Sequence, residues 1–131
     1  MRAVLILYLQ NNRIIGIRQG VLCNLSNLEL LYLQSNNIQE DTLDVGAFEC
    51  LPSLRTINLD YNKIQLVPVA NDTNPFPPNI QIIYLRNNEL KSVGPGSFIN
   101  LPALAYLYLE NNHLTSLLSG TFTDLPSLSH L

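Results

Sequence analysis

An eleven-residue pattern returns five times along this 131-residue chain and leaves few folds open to it. Each copy has an apolar residue at its first, fourth, sixth and eleventh places and an asparagine at its ninth. The copies span residues 4–14, 28–38, 54–64, 80–90 and 104–114, and a partial sixth begins at Leu128. The ninth-place asparagines are Asn12, Asn36, Asn62, Asn88 and Asn112. A unit this short cannot bury its own apolar face, so successive repeats must stack to form a core.

The middle of each copy predicts a short β-strand. Buried residues at the fourth and sixth places alternate with exposed ones at the third, fifth and seventh, which is the period of a strand with one buried face. We expect five parallel strands centred near Leu7, Leu31, Ile57, Ile83 and Leu107. The ninth-place asparagine should turn the chain inward and bond the backbone of neighbouring coils. The other linkers between copies carry two apolar markers, a Phe or Leu six residues before the next copy and a Leu three residues before it. Linker 64–80 lacks both markers and carries four prolines, which predicts an irregular extended segment.

The pattern LxxLxLxxNxL resembles the leucine-rich repeat family over essentially the whole chain. The segment Leu114-Thr115-Ser116-Leu117 followed by Gly120-Thr121-Phe122 is similar to the extracellular type, as in variable lymphocyte receptors and Toll-type ectodomains. This resemblance implies an α/β-class horseshoe, a right-handed solenoid with a parallel concave sheet and a mostly irregular or short-helical convex side. We expect a single domain over residues 1–131, with about five repeats plus a partial sixth. The chain departs from those receptors in that no cysteine-rich caps are visible in it.

Composition and motifs argue against several other classes of protein. The net charge of −3 and pI of about 5.1 provide no basic surface for nucleic acid. The longest apolar run, residues 3–9, is too short for membrane insertion. There is no glycine-rich phosphate loop, no HExxH motif and no identifiable nucleophile, so we expect no enzyme and no cofactor. With only His113 and His130 as histidines, we also expect no metal site.

Equivalent places in stacked repeats should form rows across the concave sheet. The fifth-place row is Tyr8, Tyr32, Asn58, Tyr84 and Tyr108, and Tyr106 belongs to the third-place row. All six tyrosines of the chain, counting Tyr61, fall on this face or its edge. Tyrosine offers a large rigid contact area and a hydroxyl group, which favours a binding surface. The alternative is that tyrosine simply suits an exposed strand.

The seventh-place row brings three charges together. Asp60, Arg86 and Glu110 come from consecutive repeats, so Arg86 should lie between two carboxylates. They could form an ion-pair ladder of little energetic value, or the acids could contribute to recognition. We expect both acids to be solvated, so that replacing either by alanine costs less than about 0.5 kcal/mol. A mildly acidic, tyrosine-rich face favours partners with amines, cationic patches or sugar hydroxyls.

Two cysteines and two glycosylation sequons lie in the linkers. Cys23 and Cys50 are one repeat apart but offset by one place, which leaves open whether a disulfide can span them. The sequons begin at Asn24 and Asn71, and they give modest support for an exported protein.

These features predict an extracellular recognition module that resembles an immune receptor and binds a microbial surface or antigen through its concave face. Its partner would be a protein or glycan ligand, with a bacterial cell-surface component as one candidate. The resemblance implies contacts from Tyr8, Tyr32, Asn58, Asp60, Tyr84, Tyr108 and Glu110. Arg86 and Tyr106 on the same face complete the set of candidate ligand-binding residues. The alternative is a matrix or adhesion protein, because Pro78-Asn79-Ile80 is similar to the repeats of small leucine-rich proteoglycans.

Overall fold

Five short strands form one parallel sheet in the order of the chain. The computed structural model describes residues 3–71, 73–117, 121–122 and 124–131. The strands are β1 (Ile6–Tyr8), β2 (Leu30–Tyr32), β3 (Thr56–Asn58), β4 (Ile82–Tyr84) and β5 (Tyr106–Tyr108). Each strand pairs with the next in the order β1-β2-β3-β4-β5, with equal places of successive repeats aligned. The predicted strand centres and the leucine-rich-repeat solenoid are confirmed.

The core is built from the repeated apolar places. The central residues of β2 to β5 are fully buried, and the first-place residues Leu28, Leu54, Ile80 and Leu104 are buried beneath them. The linkers supply the opposite wall of the core with Leu22, Phe48, Leu51, Phe98 and Leu101. Because every coil contributes the same places, the core runs continuously through the coils between Ile17 and Leu107.

The ninth-place asparagines tie each coil to the one before it. The Asn62 amide nitrogen donates to the carbonyl of Leu33 at 3.1 Å, and its oxygen accepts the Ile38 backbone N–H at 3.0 Å. Asn36 and Asn88 are buried with equivalent partners. The sequence prediction of a structural asparagine ladder is therefore confirmed.

The eighth place of every repeat adopts the left-handed backbone conformation. Its φ angles are 60° at Asn11, 59° at Ser35, 57° at Tyr61, 58° at Asn87 and 59° at Asn111. Asparagine tolerates this region better than other non-glycine residues, which explains why most repeats carry two consecutive asparagines. Tyr61 is the exception, since a bulky aromatic residue occupies this conformation at a cost.

The convex side is irregular, as the sequence predicted. The one helical element in the described residues is a short 3-10 helix, Glu40–Thr42. Linker 64–80 lacks the usual marker positions, yet Phe76 is buried and stacks on Phe98 at 5.8 Å. Phe98 in turn stacks on Phe122 at 6.3 Å. Phe76 thus replaces the missing convex aromatic residue from a position closer to its strand, which the marker spacing did not reveal.

A disulfide joins the first two linkers. Cys23 and Cys50 are bonded, and their Cα atoms lie 5.0 Å apart. The one-place offset between them is therefore within the reach of a disulfide. The bond joins consecutive coils across 27 residues of sequence.

Candidate binding face

Stacked tyrosine rings line the concave face. Their side chains leave the strands at the fifth place, which alternates with the buried fourth and sixth places. The rings of Tyr8 and Tyr32 are 5.2 Å apart with 5° between their planes. Those of Tyr84 and Tyr108 are 4.8 Å apart with 7° between their planes. We call these four residues the tyrosine ladder.

At the C-terminal end of the sheet, two rings of the neighbouring third-place row extend the aromatic stacking beyond the ladder. Tyr106 stacks against His130 with ring centroids 4.7 Å apart, and its ring lies 6.5 Å from that of Tyr108. His130 joins the sheet through a parallel bridge to Tyr106. The predicted clustering of tyrosines is therefore present as direct ring contacts.

The tyrosine ladder is interrupted at its centre by Asn58. This residue aligns with Tyr32 on one side and with Tyr84 on the other. Its side-chain oxygen accepts the backbone N–H of Asp60 at 3.0 Å, which fixes the orientation of the amide. Asparagine is much shorter than tyrosine, so a gap separates the two halves of the ladder. We call this gap the Asn58 notch.

Arg86 is held in place by Asp60. Its Nε and Nη2 atoms donate to Asp60 Oδ2 at 3.0 and 2.8 Å, and its backbone N–H donates to Asp60 Oδ1 at 2.7 Å. On its other side, Arg86 Nε lies 3.9 Å from Glu110 Oε2. The predicted position between two carboxylates is confirmed, but the contact with Asp60 is much closer. The guanidinium also lies 5.2 Å from the Tyr84 ring centroid and 5.5 Å from that of Tyr108.

The expectation that both acids are solvated is wrong for Asp60. This residue is only 3% exposed, because Arg86 covers its carboxylate and accounts for its three hydrogen bonds. Glu110 has a side chain that is 53% exposed. Of the two acids, only Glu110 presents its carboxylate to solvent, so the acidic character of the face is weaker than the sequence suggested.

Two residues of this face, Tyr84 and Arg86, have shifted pKa values. Burial raises the pKa of the Tyr84 phenol, and the nearby Tyr108 phenol raises it further. Arg86 opposes this shift, whereas Asp60 and Tyr32 add to it. The hydrogen bonds to Asp60 raise the pKa of Arg86. At neutral pH the face therefore combines the uncharged Tyr84 phenol with the permanent cation of Arg86.

The linker sites lie away from the tyrosine ladder. Asn24 and Asn71 are both exposed, as a glycosylation acceptor must be, and Asn71 lies in a turn with φ of 52°. The middle residue of the second sequon, Asp72, lies outside the described residues, as do residues 118–120 of the last linker. Glycosylation at either asparagine stays a prediction.

The residues that the structure describes contain neither a candidate metal cluster nor a membrane-spanning helix. No group of three or more His, Cys, Asp or Glu side chains there could hold a metal ion. No helix within the same residues is long and apolar enough to cross a membrane.

Comparison with known proteins identifies the family. The leucine rich repeat model matches residues 2–64 and 78–131. The chain belongs to the leucine-rich repeat family. Keratocan of Gallus gallus is 31% identical over 100 residues, which cover 76% of this chain and 27% of keratocan. Podocan of Mus musculus is 34% identical over 87 residues, which cover 66% of this chain and 13% of podocan.

Lumican of Gallus gallus is 30% identical over 100 residues, which cover 76% of this chain and 27% of lumican. The chain spans about a quarter or less of the length of these curated relatives.

Solved structures agree with the fold of the chain. A chain from the octameric complex of Latrophilin 3, Unc5D and FLRT2, in which FLRT2 contributes a leucine-rich repeat region, superposes with a TM-score of 0.82. It is 29% identical, and the match covers 95% of this chain and 37% of that one. The complex of TLR13 with ssRNA13 gives a TM-score of 0.66 at 22% identity, which shows the fold alone.

The comparisons and the disulfide together decide the compartment. Disulfides persist in oxidising environments outside the cytosol, and the relatives are extracellular proteins. The chain is therefore an extracellular leucine-rich repeat segment, as predicted. Keratocan, lumican and podocan favour the matrix alternative over the immune-receptor hypothesis, which was the leading one from the sequence.

Proposed function

We propose that this chain is a non-catalytic recognition segment of an extracellular matrix or adhesion protein of the small leucine-rich proteoglycan type. Its concave face binds a protein partner. The observation that carries this proposal is the tyrosine ladder, a set of stacked rings that lie outside the hydrophobic core. Tyr8 is 63% exposed, although its ring carries a large apolar area.

The ladder has the physical properties of a binding surface. Rings that already stack on one another lose little conformational freedom when a partner covers them, so most of the contact energy is available for binding. Exposed aromatic faces contribute apolar area, and their hydroxyl groups supply hydrogen bonds at the rim. Arg86 adds a fixed cation beside the stacked rings of Tyr84 and Tyr108, and arginine with tyrosine is a common combination at binding hot spots.

Two findings support a protein partner in the matrix. The relatives keratocan, lumican and podocan are small leucine-rich proteoglycans, which are matrix proteins. The similar solved chain comes from a complex in which a leucine-rich repeat region is assembled with other extracellular proteins. The immune-receptor hypothesis and a bacterial partner find no such support.

Surface plasmon resonance tests the proposal with immobilised fibrillar collagen as the matrix probe. The double variant Tyr32→Ala/Tyr84→Ala should weaken binding at least about tenfold, because it removes a ring from each half of the ladder. Leu66→Ala is the matched control, since Leu66 is an exposed apolar residue of a linker. It should bind as the parent does.

Two outcomes would contradict the proposal. Equal binding by the concave double variant and the parent would remove the concave face from recognition. Failure to bind collagen, together with saturable binding to intact bacterial cells, would restore the immune-receptor hypothesis instead.

A further inference from the structure

The Asn58 notch points to a specific feature of the partner. We propose that the notch receives one uncharged aromatic side chain of a protein partner, which lies between Tyr32 and Tyr84 and completes a stack across all five strands. This inference rests on the proposed function, because it specifies how a partner would engage the concave face.

The spacing of the rings sets the size of the missing group. Tyr32 and Tyr84 leave strands that are two places apart in the sheet, and two strand spacings amount to about 10 Å. The filled steps of the ladder have ring centroids 5.2 and 4.8 Å apart. One flat ring midway between Tyr32 and Tyr84 would therefore lie about 5 Å from each, which is a favourable aromatic distance.

The rings of Tyr32 and Tyr84 form the two walls of the notch. Tyr32 is one of the groups that raise the pKa of Tyr84, although Asn58 separates their strands. Each of these rings stacks on its outer neighbour with one face, so its other face is directed toward the notch. An aromatic ring placed between them would gain contact area on both of its faces at once.

The charges beside the notch disfavour a cationic occupant. Arg86 lies against Tyr84, so a second cation stacked on that ring would be repelled. The carboxylate of Asp60 cannot compensate, because it is buried and already bonded by Arg86. Glu110 lies on the opposite side of Arg86, two strands away from Asn58. A neutral ring meets none of these penalties.

The floor of the notch offers a hydrogen bond to the edge of the incoming ring. The oxygen of the Asn58 amide is occupied by the Asp60 backbone N–H. Its amide nitrogen has no partner among the residues that the structure describes, so it can donate to a hydroxyl or carbonyl group of the partner. Three residues further on, Tyr61 is 60% exposed, and none of the described aromatic rings stacks on it. It is a second aromatic contact available to the same partner.

Nuclear magnetic resonance titration of the unmodified chain tests the notch directly. The probes are blocked tripeptides with glycine at both ends and tryptophan, cyclohexylalanine or arginine in the centre. Only the tryptophan peptide should give saturable shifts, centred on the Asn58 side-chain amide and the rings of Tyr32 and Tyr84. Equal shifts with cyclohexylalanine or arginine, or shifts centred on Tyr106, would overturn the proposal. Shifts with N-acetylglucosamine but not with the tryptophan peptide would assign the notch to a sugar and overturn it as well.

A variant that fills the notch from within provides the second test. Asn58→Tyr should complete the ladder, abolish the tryptophan-peptide shifts and weaken collagen binding at least about tenfold. Thr56→Tyr is the matched control, because it adds the same ring to the same strand and face two residues earlier. It should leave both kinds of binding unchanged.

The collagen measurements separate the two proposals. If Tyr32→Ala/Tyr84→Ala loses binding while Asn58→Tyr keeps it, the notch proposal is wrong and the concave face remains the binding surface. If neither variant loses binding, both proposals are wrong. If Asn58→Tyr fails to fold, the titration of the unmodified chain still decides the question.

Discussion

Replacing Asp60 by alanine tests whether this residue is solvated, as the sequence predicted, or buried and bonded by Arg86, as in the structure. From its place in the repeat, Asp60 should be a solvated residue whose loss costs less than about 0.5 kcal/mol in the free energy of unfolding. In the structure it is buried and accepts three hydrogen bonds from Arg86. We therefore expect Asp60→Ala to destabilise the chain substantially.

The expected decrease in the free energy of unfolding is the sum of the costs of losing these hydrogen bonds. The backbone N–H of Arg86 loses its acceptor in a partly buried position, which costs about 1–3 kcal/mol. The guanidinium is 39% exposed and can turn to water, so its two lost bonds add only about 0.5–1 kcal/mol. The sum is a loss of about 1.5–4 kcal/mol. Asp60→Asn keeps an oxygen for the backbone N–H and should cost about 1–2 kcal/mol.

Equilibrium unfolding in urea, followed by far-ultraviolet circular dichroism with the disulfide intact, measures these differences. Glu110→Ala is the control, because its carboxylate belongs to the same row but is exposed. It should cost less than about 0.5 kcal/mol. If Asp60→Ala is no more destabilising than Glu110→Ala, the buried ion pair does not stabilise the fold and the reasoning fails.

Four further predictions follow from other parts of the structure. Gly16→Ala should lower the Tm, because a Cβ there would overlap a backbone carbonyl of the next coil. Tyr61→Asn should raise the free energy of unfolding by about 0.5–1 kcal/mol in urea titration, since asparagine tolerates its positive φ. Replacing Cys23 and Cys50 by serine should cost about 3.5 kcal/mol by the same assay, from the freed 27-residue loop. The raised pKa of Tyr84 means that its unfolded phenol ionises first, so its contribution to stability is complete below its unfolded pKa and declines as the pH rises through its folded pKa. Tyr84→Phe should reduce that decline in alkaline urea titrations.

The repeat explains why most of the fold could be predicted from the sequence. Each place in the pattern meets the same environment in every coil, so five copies give five independent readings of that environment. The repeat alone was enough to predict the strand positions, the asparagine ladder and the buried places such as Leu31 and Ile57. The role of the eighth place was also present in the pattern, since Asn or Ser at a recurrent position indicates a left-handed residue.

Contacts that depend on two particular side chains could not be predicted from the sequence. The pattern places Asp60 and Arg86 in one row, but only their geometry shows that the guanidinium covers the carboxylate. Similarly, Phe76 restores the convex aromatic stack from a position that no other linker uses. These contacts arise from single residues that depart from the pattern, so repetition carries no information about them.

The departures support the proposal that a partner binds at the centre of the concave face. The repeat that contains β3 alone breaks the fifth-place row, with Asn58, and alone places an aromatic residue at the eighth place, with Tyr61. Its buried places are ordinary, since Ile57, Leu59 and Asn62 match their counterparts in the other coils. The packing of the core therefore does not require these changes, and Tyr61 is destabilising where it lies. These exposed departures lie together in the central coil, and the fold does not need them. Such departures are expected where a surface binds a partner.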